Sequence, residues 1–133
     1  MELKGRTVNT GDVEGEAIVL ENAFNFTGDF DPKTGTVGIK GHPLFGQRIG
    51  GKILVIPTAK GAGGAAISVY NANKVGNAPI GVLCRKADPI TAESAMIIGI
   101  PVIDSFDKDI IDIMKTGDHV KIFGEKGIII IGD

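Results

Sequence analysis

The hydrophobic residues of this chain fall into short runs separated by glycine, proline and polar residues. The runs "ILVI" at 53–56 and "IGVLC" at 80–84 are continuous, and continuous apolar runs are typical of strands covered on both faces in sheets with parallel pairs. Shorter β-prone runs are "RTVN", "GEAIVL" and "IPVID", and "DHVKIFGEKGIIII" predicts a closing hairpin with its turn around residues 124–127. The pattern therefore predicts strands at both ends of the chain and in its centre.

Three segments carry small or apolar residues at helical spacing. In the first, which follows a glycine-rich stretch, these residues are Ala62, Ala65, Ala66 and Val69. The second, "TAESAMIIG", predicts a short helix with Thr91 as its N-cap and Gly99 at its end. The third lies in "SFDKDIIDIMKTG", and its apolar side consists of Ile110, Ile113 and Met114.

Residues 22–51 predict a long ordered loop, because they are dense in Gly, Asp, Asn and Pro and have few apolar positions at helical spacing. "DPKTG" within it predicts a turn. Its apolar residues either anchor the loop on the core or form a protein interface; they are Phe24, Phe26, Phe30, Leu44 and Phe45. The order of elements predicts one α/β domain over residues 1–133, with two β layers and one helical layer.

Composition narrows the class of protein. The formal net charge of −2 argues against a nucleic-acid or anionic-membrane surface. One cysteine cannot form an internal disulfide. The apolar runs are far shorter than the ~20 residues of a membrane helix, and the N-terminus has no signal-peptide pattern. We therefore expect a soluble cytoplasmic protein.

Few side chains suggest chemistry. Two distant histidines and one cysteine do not form a metal-binding spacing, so no metal site is predicted. Cys84 ends an apolar run, which indicates an inert core thiol with a raised pKa. His119 is interpreted as a strand residue. His42, in the long loop, is either a structural residue or a ligand contact.

The stretch "AKGAGG" at 59–64 joins a predicted strand to a predicted helix. Unpaired N–H groups and the helix dipole favour an anion at such a position, and Lys60 adds a positive charge. The candidate substrate-binding residues are Lys60, Gly61, Ala62, Gly63, Gly64 and His42. A tight turn without a ligand is the alternative.

Six segments in the same order resemble the small subunit of aconitase X-type hydro-lyases. They are "GEAIVL", "FNFTGDFDPKTG", "GHPLFGQRIGGKILVIP", "AKGAGGAA", "NAPIGVLC" and "GIPVID". The resemblance implies a swivelling β/β/α domain, with layered sheets and helices on one side. It also implies a separate large subunit that carries an iron–sulfur cluster, and dehydration of a small anionic hydroxy acid at the interface. This chain would bind no cofactor itself and would be inactive alone, with Asp29 and the loop from Phe26 near the active site or the interface.

The glycine-rich stretch departs from the family pattern, in which the loop reads roughly Gly-Arg-Gly-Ser and the serine is the proposed base. The resemblance places Lys60 at the arginine position and Ala62 at the serine position, so the catalytic residue is unknown. Ser68 lies roughly 9 Å further along a helix, too far to substitute. The alternative function is a non-catalytic anion-binding or regulatory module on the same fold.

The segment from Ala87 to Ile131 also resembles the C-terminal part of the phosphohistidine swivelling domain of phosphoenolpyruvate-utilising enzymes. In that family a histidine in Thr-Ser-His carries the phosphoryl group, whereas this chain has "TAES" at that place. We interpret the likeness as shared architecture.

Overall fold

The computed structural model describes residues 1–60 and 64–132. The strands in these ranges are β1 (Glu2–Lys4), β2 (Arg6–Asn9), β3 (Asp12–Val19), β4 (Phe30–Asp31), β5 (Thr36–Val37), β6 (Ile53–Ile56), β7 (Gly81–Cys84), β8 (Val102–Asp104), β9 (His119–Phe123) and β10 (Ile128–Ile131). The helices are α1 (Ala65–Lys74), α2 (Pro89–Ile98) and α3 (Ile110–Ile113). None of these three helices has the length and apolar composition needed to span a membrane.

Eight strands form a continuous sheet in the order β1-β10-β9-β3-β6-β7-β8-β2. The long strand β3 belongs to both halves of this sheet. Its residues Asp12–Glu16 pair antiparallel with β9, and its residues Ala17–Val19 pair parallel with β6. The strands β6, β7 and β8 run parallel to one another. The sheet therefore divides into two β layers joined by one strand, as the sequence predicted.

Alternate residues of the central strands point into two separate cores. Leu54, Ile56 and Val82 lie in the core that includes residues of α1 and α2. Ile53 and Leu83 lie in the other core, against strands of the second β layer and the single turn α3. Because both faces of these strands are covered, their apolar runs are continuous. The swivelling β/β/α fold class predicted from the sequence is confirmed.

The start of α2 differs from the prediction. Its N-cap is Asp88, whose carboxylate accepts hydrogen bonds from the N–H groups of Ile90 and Thr91, and Pro89 occupies the first turn. Thr91 is buried inside the helix, so the prediction of Thr91 as the N-cap was wrong. An aspartate before a proline is a stronger start signal than an internal threonine, because proline favours the first helical position. Gly99 ends the helix with a φ of 74°, as predicted.

The long loop is tied to the domain at several points. Phe24, Phe26 and Phe30 are buried, and their rings pack edge-on with centroid distances of 5.0 and 6.4 Å. The predicted "DPKTG" turn joins β4 to β5. Asn77, which follows α1, donates to the carbonyls of Pro32 and Lys33. Most of the loop's aromatic residues are therefore anchors, although Phe45 stays 53% exposed.

Candidate functional site

The carboxyl ends of β6, β7 and β8 meet at one edge of the sheet, where ligands bind in open α/β sheets. The chain leaves these strands at Pro57, Arg85 and Ser105. The N–H of Arg85 donates to the carbonyl of Pro57 at 3.0 Å, and the N–H of Ser105 donates to the carbonyl of Arg85 at 3.0 Å. These bonds hold the three exits side by side. The predicted anion-binding stretch leaves the sheet at this edge.

Two of the predicted anion-binding residues, Lys60 and Gly64, flank the start of α1. Lys60 is exposed, and its N–H donates to the carbonyl of Phe24 at 2.8 Å. Gly64 is the N-cap of α1 with a φ of 89°, and α1 has neither a side-chain cap nor an acidic residue in its first turn. The predicted site residues Gly61, Ala62 and Gly63 lie outside the described residues.

The segment from Phe24 to Asp29 lies beside the start of α1. A methyl group of Thr27 lies 3.4 Å from the position that a Cβ on Gly64 would occupy. The Ser68 hydroxyl donates to the carbonyl of Phe26 at 3.2 Å. Asp29, predicted to lie near the site, accepts from the N–H of Asn25 at 2.9 Å within the same turn. Both polar side chains therefore hold this segment in place.

His42 is the remaining predicted site residue. It lines an open cleft of about 530 Å³ formed by three chain segments, and the lining residues are Val19, Glu21, Asn22, His42, Pro43, Leu44, Met114, Lys115 and Thr116. Its Nδ1 accepts a hydrogen bond from the N–H of Leu44 at 3.0 Å. No hydrogen bond between described residues joins His42 to Lys60 or Gly64. The predicted grouping of His42 with the glycine stretch remains a prediction.

Asp104, at the end of β8, is a buried polar residue that the sequence reasoning missed. Its side chain is fully buried and accepts from Arg6 Nε at 2.9 Å, from an Arg6 terminal nitrogen at 2.7 Å and from the N–H of Ala87 at 2.8 Å. Burial alone would raise the pKa of Asp104, but these hydrogen bonds and the Arg6 charge hold it below its usual value. The only signal in the sequence is an aspartate at the end of an apolar strand.

Cys84 lies in the helical-side core at 1% exposure. Burial, together with the nearby charge of Asp104, raises the pKa of its thiol to about 12. The predicted core position of this thiol is confirmed, and its lack of reactivity stays a prediction. Among the described residues, no group of three or more His, Cys, Asp or Glu side chains could hold a metal ion. Iron–sulfur clusters need cysteine thiolates, and a single neutral, buried thiol does not fit that requirement.

Comparison with known proteins gives full-length matches. Residues 2–131 match the sequence model of the aconitase X swivel domain. The phosphomevalonate dehydratase small subunits of Methanocella arvoryzae and Thermococcus gammatolerans are 39% and 38% identical, over 97% and 96% of this chain and 98% and 95% of theirs. The holo-form crystal structure of Thermococcus kodakaraensis aconitase X superposes with a TM-score of 0.92 at 35% identity. That alignment covers 100% of this chain and 99% of the other.

Proposed function

Because this chain belongs to the aconitase X swivel-domain family, we propose that it is the small subunit of a dehydratase. Its relatives are named phosphomevalonate dehydratase small subunit, and we propose the same type of enzyme here. The observation that carries the proposal is the full-length match in both directions, 97% of this chain against 98% of the Methanocella arvoryzae subunit. The match spans nearly the whole of that small subunit, and in this proposal a larger chain completes the active site.

The carboxyl edge of β6 supports a role in substrate binding. Lys60 is exposed there, and α1 begins without a side-chain cap or an acidic residue. The first N–H groups of a helix are unpaired and attract negative charge. A substrate carboxylate or phosphate at this position would also face the Lys60 ammonium. We assign the stretch from Lys60 to Gly64, with Ala62 in it, to the wall of a shared active site.

The same stretch lacks the serine that the family pattern places at position 62 as the base. Residues 59–67 read Ala-Lys-Gly-Ala-Gly-Gly-Ala-Ala-Ile and contain no hydroxyl, carboxylate, imidazole or thiol. The nearest hydroxyl after it belongs to Ser68, which donates to the carbonyl of Phe26. Dehydration of a hydroxy acid requires a base within hydrogen-bond reach of the reacting carbon. We therefore propose that the large subunit supplies the base.

The iron–sulfur cluster implied by the family belongs, in this proposal, to the large subunit. The donor set of the described residues does not fit a cluster, since Cys84 is buried and its pKa is raised to about 12. This chain would contribute substrate binding, shape and exclusion of water. It would have no dehydratase activity alone.

Co-expression with the large subunit of an aconitase X-type dehydratase, under anaerobic conditions, tests the proposal. We expect an equimolar complex that dehydrates mevalonate 5-phosphate, while each chain alone is inactive. Lys60→Ala should raise KM by roughly three- to tenfold, since it removes one charge–anion contact. Lys40→Ala, in the long loop, is the matched control for the loss of one positive charge. A complex whose KM is unchanged in the Lys60 variant would contradict the assignment of this edge.

Two serine variants test whether the base comes from this chain. If the large subunit supplies the base, Ala62→Ser and Gly64→Ser should not raise kcat. Gly64→Ser has the added cost of a φ of 89°, which disfavours any side chain. A rise in kcat of tenfold or more in either variant would contradict the proposal, because it would show that a serine hydroxyl on this chain can act as the base.

The second candidate function is a non-catalytic anion-binding module, and the replacement of the family's serine by Ala62 favours it. It predicts that the large subunit is not recruited and that the purified chain binds inorganic phosphate near Gly64. Failure to form the complex, together with such binding, would select this candidate over the dehydratase.

A further inference from the structure

We propose that the cleft lined by His42 and Lys115 is a binding site for a small organic anion with a short hydrocarbon chain. The site is formed by this chain alone, and neither Lys60 nor Gly64 is among its described lining residues. It does not depend on the dehydratase assignment. Its volume of about 530 Å³ falls within the usual range for small-molecule sites.

The polar groups of the cleft are mostly hydrogen-bond donors. His42 Nδ1 accepts from the N–H of Leu44, so the neutral ring carries its proton on Nε2 and donates from there. Thr116 Oγ1 accepts from the N–H of Val19 at 2.9 Å, which leaves its hydroxyl hydrogen for another acceptor. Lys115 adds a positive charge and forms no ion pair with a described residue.

The remaining described lining residues fit the hydrocarbon part of such a ligand. Val19, Pro43, Leu44 and Met114 supply the apolar surface of the cleft. Glu21 is the one carboxylate among the described lining residues, and it is exposed. A cation, two neutral donors and an apolar wall suit a small organic phosphate or carboxylate better than a cation or a neutral sugar. The carboxylate of Glu21 should oppose such a ligand.

Titration of the ¹⁵N-labelled full chain with n-butyl phosphate, followed by amide chemical shifts, tests the proposal. We expect saturable changes at residues 19–22, 42–44 and 114–116. Inorganic phosphate should bind about tenfold more weakly, because burial of a few methylene groups is lost. Uniform small shifts without saturation, or saturable shifts confined to residues 58–68, would overturn the proposal.

Charge variants make the test specific. Lys115→Gln and His42→Gln should each weaken binding roughly threefold to tenfold, whereas Glu21→Gln should strengthen it by about threefold. His119→Gln is the control, because His119 does not line the cleft and pairs with Glu14. Lys115 and Glu21 are exposed, so these two variants should fold even if the His42 variant does not. Equal affinities in all the charge variants would refute the site.

The two proposals fail separately. An active complex whose small subunit does not bind n-butyl phosphate in the cleft overturns only the cleft site. Specific binding in the cleft by a chain that forms no active complex overturns only the dehydratase assignment.

Discussion

Replacing Asp104 by asparagine should destabilise the domain at the carboxyl end of β8. The carboxylate accepts three N–H bonds, two from Arg6 and one from Ala87. Asparagine keeps the shape but offers one oxygen and one NH₂ group. In Asp104, Oδ2 accepts from an Arg6 terminal nitrogen and from Ala87, and Oδ1 accepts from Arg6 Nε. If the asparagine oxygen takes the place of Oδ2, its NH₂ group faces Arg6 Nε. The substitution therefore removes one charge-assisted bond and creates a donor–donor contact inside the protein.

We estimate the cost of Asp104→Asn at about 2–3 kcal/mol of unfolding free energy at pH 7. A hydrogen bond to a charged group contributes about 1.5–3 kcal/mol. The side chain of Arg6 is 56% exposed, so it can turn to water, and we do not add the larger penalty of a buried unpaired charge. For a domain of this size the loss corresponds to a fall in Tm of roughly 6–12 °C.

The pH dependence gives a second, independent readout. The pKa of Asp104 in the folded state is below its ordinary value of 3.8. At a pH between these two values, the unfolded chain therefore binds more protons than the folded chain. This contribution is complete above the ordinary value and is lost as the pH falls through the folded value. The difference in stability between the wild type and the Asp104→Asn variant should thus be largest near neutral pH and should shrink below about pH 4.

Urea unfolding followed by circular dichroism at pH 7 and between pH 5 and 3 measures both effects. Asp107→Asn is the matched control. Asp107 is exposed and accepts a long 3.4 Å hydrogen bond from the N–H of Lys4, so its loss should change stability by less than about 0.5 kcal/mol. An Asp104 variant as stable as this control at pH 7, or a difference that does not narrow in acid, would refute the reasoning.

Three further predictions concern stability. Native Cys84 should not react with a disulfide reagent at pH 8. The pKa of its thiol rises from 9.0 to about 12 on folding, so this thiol should lower the free energy of unfolding as the pH rises through that interval. Cys84→Ala should lack this contribution, and equal slopes of unfolding free energy against pH in the two proteins would contradict this. Asn77→Ala should cost about 1–3 kcal/mol in urea unfolding and speed amide exchange in residues 30–50, unlike the exposed-residue control Asn71→Ala. Gly5→Ala should cost about 1–3 kcal/mol in thermal unfolding, because its Cβ would lie 2.5 Å from the backbone oxygen that ends β8. Gly28→Ala, where the nearest atom is 3.8 Å away, should be neutral, and equal costs would show that this crowding is relieved elsewhere.

The sequence was sufficient for the central strands because their signal is local, whereas β1, β4 and β5 were not predicted. The continuous runs at Ile53–Ile56 and Gly81–Cys84 are apolar since both faces of those strands are covered. The sharing of β3 between two β layers was not predictable. It depends on pairings with Ile53–Val55 and with His119–Phe123, and no periodicity within β3 encodes partners so far along the chain.

The candidate site shows the same division between local and distant information. The glycine stretch was found because a strand, several glycines and a helix are adjacent in sequence. The role of Asp104 was missed because its partner Arg6 lies 98 residues away. The cleft at His42 was missed as a cleft because it joins the long loop to residues 114–116. Only the folded chain brings these segments together.

The glycine stretch limits what this subunit can contribute to a reaction. Backbone N–H groups and one ammonium can hold and polarise an anion, but they cannot accept a proton from carbon. Residues 59–67 offer nothing else, and Ser68 already donates to Phe26. In the function proposed above, the two subunits divide the work. This subunit would fix the charged end of the substrate, and the large subunit would perform both proton removal and loss of the hydroxyl group. On this division, a defect in the Lys60 variant should appear in KM, with kcat largely retained.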